Sequence, residues 1–275
     1  MFAATLLALG AAVLHAAWNL AAKSASDRHL ALWGQFFAGG VIAFVVLVAT
    51  GGVDHHVLPW AAGSALIHVP YVVLLAMGYD SGDFSLVYPV ARGGGALLAA
   101  IGGVLFLSDH LRFFGWVALC VVALGLMLLG EFRASRTLNV ALVLAFVIGA
   151  YTVLDAKGAR ISGKLTYVAA ETSFGALTIS AHGLAIGRGA EFRASWPSSW
   201  RRYVLSGAAM LITYGLVLVA VRKASVGYVA ALRESSVVLA AFIGWKVLKE
   251  PAARQRIIAS CVVLAGLVTL VTLGR

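Results

Sequence analysis

An all-helical membrane protein of ten spans, arranged as two inverted five-helix repeats, is the fold that the sequence predicts. Three observations predict it: an apolar excess too large for a water-soluble core, ten apolar runs of membrane-crossing length, and a self-match between the two halves. Of the 275 residues, 61% are hydrophobic and only 12% charged, against about 45–50% and about 25% in an average soluble domain. The mean hydropathy of +0.95 agrees, and lipid is the solvent such a surface requires. A net charge of +10 would point to nucleic acid in a soluble protein. Here the basic residues sit almost entirely in short connections between apolar runs, where they anchor helix ends and meet lipid phosphates. No nucleic-acid partner is expected.

A membrane helix needs about 20 apolar residues. The first run, 2–22, follows Met1 with no basic stretch before it, so it reads as a retained helix rather than a cleaved signal, and it stops at the polar cluster Lys23 to Arg28. Runs 30–53 and 57–78 are divided by Asp54-His55-His56, and 57–78 and 84–107 by Asp80-Ser81-Gly82-Asp83. Ser108-Asp109-His110 precedes 113–130, and Glu131 to Arg136 precedes 138–157. Gly158 to Lys164 leads to 165–187, and a long basic loop, Arg188 to Arg202, to 203–221. Arg222-Lys223 and Lys249 to Arg256 introduce the last two runs, 226–248 and 256–273. The runs are solid apolar blocks without strand alternation, which excludes a β-barrel.

Shifting the chain by 141 residues sets Arg92 on Arg233, Gly103 on Gly244, Cys120-Val121-Val122 on Cys261-Val262-Val263, and acidic Asp109 on Glu250. A shift of 134 sets Ala22-Lys23 on Ala156-Lys157, and Tyr71 meets Tyr214 at 143. An intramembrane Arg and a lone Cys recurring together are harder to obtain by chance than Leu and Ala. The halves are 1–134 and 135–275, forming one membrane domain. Five helices each means that the second half enters the membrane in the opposite sense. Inverted repeats are a frequent plan of secondary transporters, with the site at the midplane between halves.

Intramembrane polar residues mark the candidate site, because charges in lipid usually face a cavity or a partner. Arg92 and Arg233 lie too deep in their runs to be end anchors. Each reads either as a fork for a substrate carboxylate or as a structural group capping carbonyls or snorkelling. Glu234 adjoins Arg233 about 100° around the helix, as an amine or proton acceptor or as half of an ion pair. His15, Trp18 and Asn19 form a polar-aromatic stripe at i, i+3 and i+4, and Tyr151 with Asp155 occupies the matching place in the second half. Tyr167, Glu171, Phe174, Gly175, Thr178 and His182 share one face of the seventh run, which must point inward because lipid would not accept Glu171. Interhelical hydrogen bonds, worth about 0.6 kcal/mol each, are the alternative account of each residue. Tyr88-Pro89 and Gly93-Gly94-Gly95 flank Arg92. A proline that bends the helix and glycines that admit a neighbour make this fourth run the expected gating hinge. Cys120 and Cys261 read as small residues of the membrane core, and His55-His56 and His68 as loop and helix contacts. With no phosphate-binding loop, no metal-ligand spacing and no nucleophile beside a base, neither a cofactor nor an enzyme activity is expected.

In each half, a Tyr, an apolar run, an Arg about two turns into the next helix and an acidic turn follow in order. The second half has Tyr214-Gly215-Leu216, Ala230-Ala231-Leu232-Arg233, Val247-Leu248-Lys249-Glu250 and Val263-Leu264-Ala265-Gly266. The first has Tyr71, Leu86-Val87-Tyr88-Pro89-Val90-Ala91-Arg92-Gly93 and Leu105-Phe106-Leu107-Ser108-Asp109-His110, with Asp109 in place of the usual Glu. This pattern resembles the EamA-type drug/metabolite transporter superfamily along the whole chain. The resemblance implies ten transmembrane helices in a bacterial-type inner membrane, with both termini cytoplasmic. The positive-inside rule argues the reverse, because Lys23, Arg28, Arg133, Arg136, Arg188, Arg193, Arg201 and Arg202 fall on the side away from the termini. Bacterial aromatic amino-acid exporters are the members most similar in kind. In related carriers of phosphorylated sugars, basic residues of the ninth helix hold the anion, a role that the resemblance lends to Arg233. The expected activity is export or facilitated flux of small zwitterionic metabolites, aromatic amino acids first, by a monomer whose partners are that substrate and membrane lipid. Substrate contacts are expected from Arg233, Arg92, His15, Trp18, Asn19, Tyr71, Tyr88, Tyr151, Glu171, Tyr214 and Glu234. An organic anion or nucleotide-sugar carrier is the alternative transporter. A membrane-embedded enzyme or a lipid-binding assembly subunit is the alternative outside transport.

Overall fold

The computed structural model describes residues 2–80, 84–129, 135–162, 165–233 and 253–273. Among the described residues there are ten α-helices and no strand. They are α1 (Phe2–Lys23), α2 (Arg28–Ala49), α3 (Leu58–Asp80, after a 3-10 turn His55–Val57), α4 (Phe84–Leu107) and α5 (Phe113–Leu129). The second half gives α6 (Arg136–Ser162), α7 (Thr166–Ala185), α8 (Gly189–Val221), α9 (Val226–Arg233) and α10 (Ala253–Leu273). Glu234, with its Ser235-Ser236 neighbours, and the side chain of Pro89 lie outside the described residues.

Six stretches are long and apolar enough to cross a membrane: Ala3–Lys23, Arg28–Ala49, His55–Asp80, Leu86–Leu107, Arg136–Ser162 and Gly189–Val221. α5 and α10 carry shorter apolar stretches, Phe113–Val122 and Ile257–Leu270. α7 falls short in hydropathy because Glu171, Thr172 and Ser173, all buried, occupy its middle. Large apolar side chains such as Phe106, Phe146 and Leu205 point outward, each more than 60% exposed. An outer surface of this kind, on helices of this length, is that of a multi-pass membrane protein.

Two expectations are corrected. α6 continues to Ser162 rather than ending at 157, and Arg188 to Arg202 is not a loop, because α8 begins at Gly189. The cause lies in Phe192 and Trp196, one turn apart on the new helical stretch. Phe192 stacks on Trp33 of α2 at 4.2 Å between ring centroids, and Trp196 meets Phe37 edge-on at 5.6 Å. The helix continues through Pro197, whose ring removes one hydrogen bond. At 33 residues, α8 is about 50 Å long against a hydrocarbon thickness of about 30 Å. Its first turns therefore reach the headgroup layer, where Arg193, Trp200, Arg201 and Arg202 are exposed.

Charged caps lock the helix ends. Asp27 accepts a hydrogen bond from the Leu30 amide at 2.9 Å, capping α2, and also pairs with Arg188. Burial alone would raise the Asp27 carboxyl, but Arg188 and the Leu30 amide more than offset this and hold it below the ordinary aspartate range. At the end of α1, Lys23 Nζ donates to the Tyr79 carbonyl at 2.8 Å, near the end of α3. At the end of α6, Arg160 Nε donates to the Val221 carbonyl at 3.2 Å, where α8 ends. Arg160 also pairs with Asp109 at 2.9 Å. Both cations sit against the negative end of a helix dipole.

The heaviest helix packing joins the two halves: α4 with α6, α5 with α10, α2 with α7 and α8, α1 with α8, and α3 with α6 and α7. Small residues set these contacts. A Cβ on Gly125 would lie 2.7 Å from Val263 Cγ2 and 3.2 Å from the Ala259 carbonyl. One on Gly266 would lie 2.8 Å from Val122 Cγ2 and 3.0 Å from the Ala118 carbonyl. Cys120 and Cys261, expected as small residues of the membrane core, lie exposed on the outer faces of their helices. Each lies two residues from a contact residue, Val122 or Val263, and so about 200° around the helix from the face that α5 and α10 share.

Candidate functional site

Where the inner faces of α1, α2, α3, α6, α7, α8 and α9 converge, they enclose a cavity of about 40 Å³. That volume holds about three or four waters at about 10–15 Å³ of accessible space each. It is far below the ~300 Å³ of a small-molecule site, so a solute must spread its walls. One wall is aromatic: Phe36, Tyr71, Tyr151 and Tyr214. Tyr71 and Tyr151 meet edge-on at 5.5 Å, and His68 lies 4.3 Å from the Tyr151 ring. Met210, Thr172 and Thr213 complete the lining beside the polar groups.

The acidic pole is Glu171 of α7, 2% exposed. Its Oε1 lies 3.3 Å from His68 Nδ1, and its Oε2 accepts a hydrogen bond from Thr172 Oγ1 at 3.4 Å. His68 Nδ1 is also 2.9 Å from the Ser64 carbonyl. Because that oxygen can only accept, the ring proton sits on Nδ1. Behind this pole, the Asp155 carboxylate accepts from Tyr167 Oη at 3.0 Å and from the Tyr214 hydroxyl. Tyr214 thus links the lining to a second buried carboxylate.

The same cavity gathers nitrogen groups. His15 and Trp18 of α1 line the cavity with their rings 4.6 Å apart, and Arg233, the last described residue of α9, lines it too. All three are about 4% exposed. Among the described residues, Trp18 Nε1 and His15 Nε2 are buried and have no hydrogen-bond partner, and Glu171 Oε1 is buried beside His68 Nδ1 at 3.3 Å but accepts no well-aligned hydrogen bond. Leaving a buried polar atom unmade costs about 1–3 kcal/mol, and such atoms in a native structure call for an explanation.

The structure therefore brings His15, Trp18, Tyr71, Tyr151, Glu171, Tyr214 and Arg233 to one cavity. Asn19 is buried but spends its amide on the His15 carbonyl at 2.7 Å and its oxygen on the Tyr79 hydroxyl at 2.6 Å, tying α1 to α3. Tyr88 and Arg92 are buried on α4 and are not among the lining residues, although the Tyr88 ring is 6.5 Å from His15. α4 is continuously helical through Pro89 and Gly93. A Cβ on Gly94 would lie 2.9 Å from Ala145 Cβ, and one on Gly95 2.4 Å from Ile148 Cγ2, so these glycines seat α6 against α4. His68 is corrected from a simple helix contact to a lining residue. Phe36, Thr172, Met210 and Thr213 join it, with Asp155 behind. The signal for His68 was its place three residues before Tyr71, on one helix face. Among the described residues, no three His, Cys, Asp or Glu side chains cluster as metal ligands.

Residues 136–272 match the EamA-like transporter family. No curated protein matches the chain. A solved structure described only as a crystal structure of a protein superposes with a TM-score of 0.70 at 20% identity, over 99% of this chain and 98% of its own. That likeness speaks for the fold. The chain is a multi-pass membrane protein whose residues 136–272 are similar to the EamA-like transporter family.

Proposed function

We propose that this protein carries small zwitterionic metabolites across a bacterial-type inner membrane, amino acids with aromatic side chains first among them. The observation that carries the reading is the acceptor Glu171 Oε1, close to His68 but without a well-aligned hydrogen bond, and the unmet donor at Trp18 Nε1, in one cavity with Arg233. An ammonium fits the acidic pole, a carboxylate fits Trp18 and the guanidinium fork of Arg233, and Tyr71, Tyr151 and Phe36 suit an apolar or aromatic side chain. An organic dianion or a nucleotide sugar would set its second charge against Glu171, which disfavours that carrier. Flux of a labelled amino-acid panel into proteoliposomes tests the proposal. Transport of phenylalanine or tyrosine above protein-free vesicles is expected, and absence of flux for every amino acid would refute it.

The path runs between two inverted five-helix repeats, giving ten spans with both termini on one side. Exchange symmetry supports this arrangement. Each main contact between halves has a counterpart when α1–α5 are exchanged for α6–α10: α1–α8 with α3–α6, α1–α9 with α4–α6, and α2–α8 with α3–α7. The Gly125 and Gly266 contacts repeat atom for atom at an offset of 141. Lys23 on the end of α3 is answered by Arg160 on the end of α8. The gate in this scheme is α4 with its glycine triplet, moving against α6.

A further inference from the structure

A second cavity lies on the lipid-facing side of the molecule, far from the described site in both shape and chemistry. It is an apolar groove of about 770 Å³ between α4 and α6, with Trp60 at the start of α3 on its rim and Lys157 in its lining. Its exposed walls include Leu105, Phe106 and Phe146. Its floor is the α4–α6 contact, where Gly102 and Gly149 bring the helices so close that a Cβ would lie 2.6 Å from Val153 Cγ2 or 2.7 Å from Leu98 Cβ.

The groove has the length of one leaflet. Its lining on α4 runs from Leu98 to Leu107, nine residues or about 13.5 Å at 1.5 Å each. On α6 it runs from Phe146 to Lys157, eleven residues or about 16 Å. Half of a hydrocarbon core of about 30 Å is about 15 Å. The deep end therefore lies near the midplane, and the Trp60–Lys157 end lies at the interface, where Trp and Lys anchor to headgroups.

Among the described residues, Lys157 makes no contact that would explain its place. A shift of 134 residues sets it on Lys23, which donates to the carbonyl at the end of α3. In the second half Arg160 does that work, on the Val221 carbonyl, and it also holds Asp109. Lys157 is half-buried, and no partner for its ammonium occurs among the described residues. A cation at headgroup depth above an apolar trough one leaflet long matches a single chemistry.

We propose that this groove holds one acyl chain of an anionic glycerophospholipid, with the headgroup phosphate on Lys157. The lipid wedges against the α4–α6 seam, whose glycines seat the two helices on each other. The site does not depend on which solute the central cavity carries.

Native mass spectrometry of the purified full chain tests it, titrating phosphatidylglycerol and phosphatidylcholine with identical acyl chains. Wild type should retain one phosphatidylglycerol in preference to phosphatidylcholine. Lys157→Ala should lower that preference about fivefold, the ratio that one Lys near a charged membrane surface supplies, and Lys157→Arg should restore it. Ala150→Trp, which fills the groove, should remove the retained lipid of either kind. Leu105→Trp, at an exposed wall, makes the same test should Ala150→Trp fold poorly. An unchanged preference in Lys157→Ala, lipid retained in both groove-filling variants, or displacement of the lipid by inorganic phosphate would each overturn the proposal.

Discussion

In the proposed reading Arg233, Trp18 and Glu171 divide the labour of recognition, and substrates lacking one end can separate them. If the Arg233 fork holds a carboxylate, Lys supplies a point charge without bidentate geometry. Losing a charge-assisted contact costs about 1.5–3 kcal/mol, so Arg233→Lys should weaken an aromatic amino acid roughly ten- to a hundredfold and leave its amide almost unchanged. Equal losses for acid and amide, in binding to monodisperse protein, would make Arg233 structural. Glu171→Gln should do the opposite, weakening amino acids by a similar factor while sparing the des-amino acid. Both residues stood out in the sequence, because a charge within an apolar run is conspicuous by itself, although the amine-acceptor role fell there to Glu234. His68 did not stand out, since the group that defines it, Glu171, comes from another helix. Asp155 was visible as an acid beside Tyr151, but its two tyrosine donors, Tyr167 and Tyr214, come together only through the packing of α6, α7 and α8.

Helix contacts obey different rules from site contacts, because what decides them is the backbone. A Cβ on Gly207 of α8 would lie 2.6 Å from the Gln35 carbonyl and 2.6 Å from the Gly39 amide nitrogen of α2. Neither atom can rotate away, so Gly207→Ala should cost about 1–3 kcal/mol by overpacking, read as a lower unfolding temperature in detergent. Gly215→Ala on the same helix meets nothing within 4 Å and should change little. Cys120→Ala and Cys261→Ala, on exposed faces, should keep transport within a few-fold of wild type. The same logic explains where element boundaries failed. Hydropathy alone ended α6 at 157 and began α8 at 203, because it sees no reason for a charged stretch to stay helical. The stacking of Phe192 on Trp33 that holds the first turns of α8 is a tertiary contact, and tertiary packing supplies most helix stability. Where apolar content and helix coincide, as in α4 at 84–107, the sequence boundaries and the helix agree.

Across the whole molecule, the proposed plan of two odd-membered halves of opposite sense would place every helix end on a definite side, and three ends suffice to test it. Ile161 near the end of α6 and Leu273 at the end of α10 are exposed, as is Ser198 in the first turns of α8. With ten spans, the end of α6 faces the side that holds both termini, whereas the start of α8 faces the other. Single cysteines at these positions, in a chain whose own Cys120 and Cys261 are replaced, should split two against one toward a membrane-impermeant thiol reagent. Ile161→Cys and Leu273→Cys should label together, and Ser198→Cys only from the opposite face. The split does not depend on which face is cytoplasmic, so it is independent of the contest between the basic cluster at Arg193, Arg201 and Arg202 and the orientation that the family resemblance implies. An even number of spans from α7 to α10 keeps Ile161 and Leu273 together, and removal of any one of them separates the pair. Labelling of Ile161→Cys and Leu273→Cys from opposite faces would therefore break the five-plus-five plan, and with it the inverted repeat proposed to put the Glu171–Arg233 cavity between the halves.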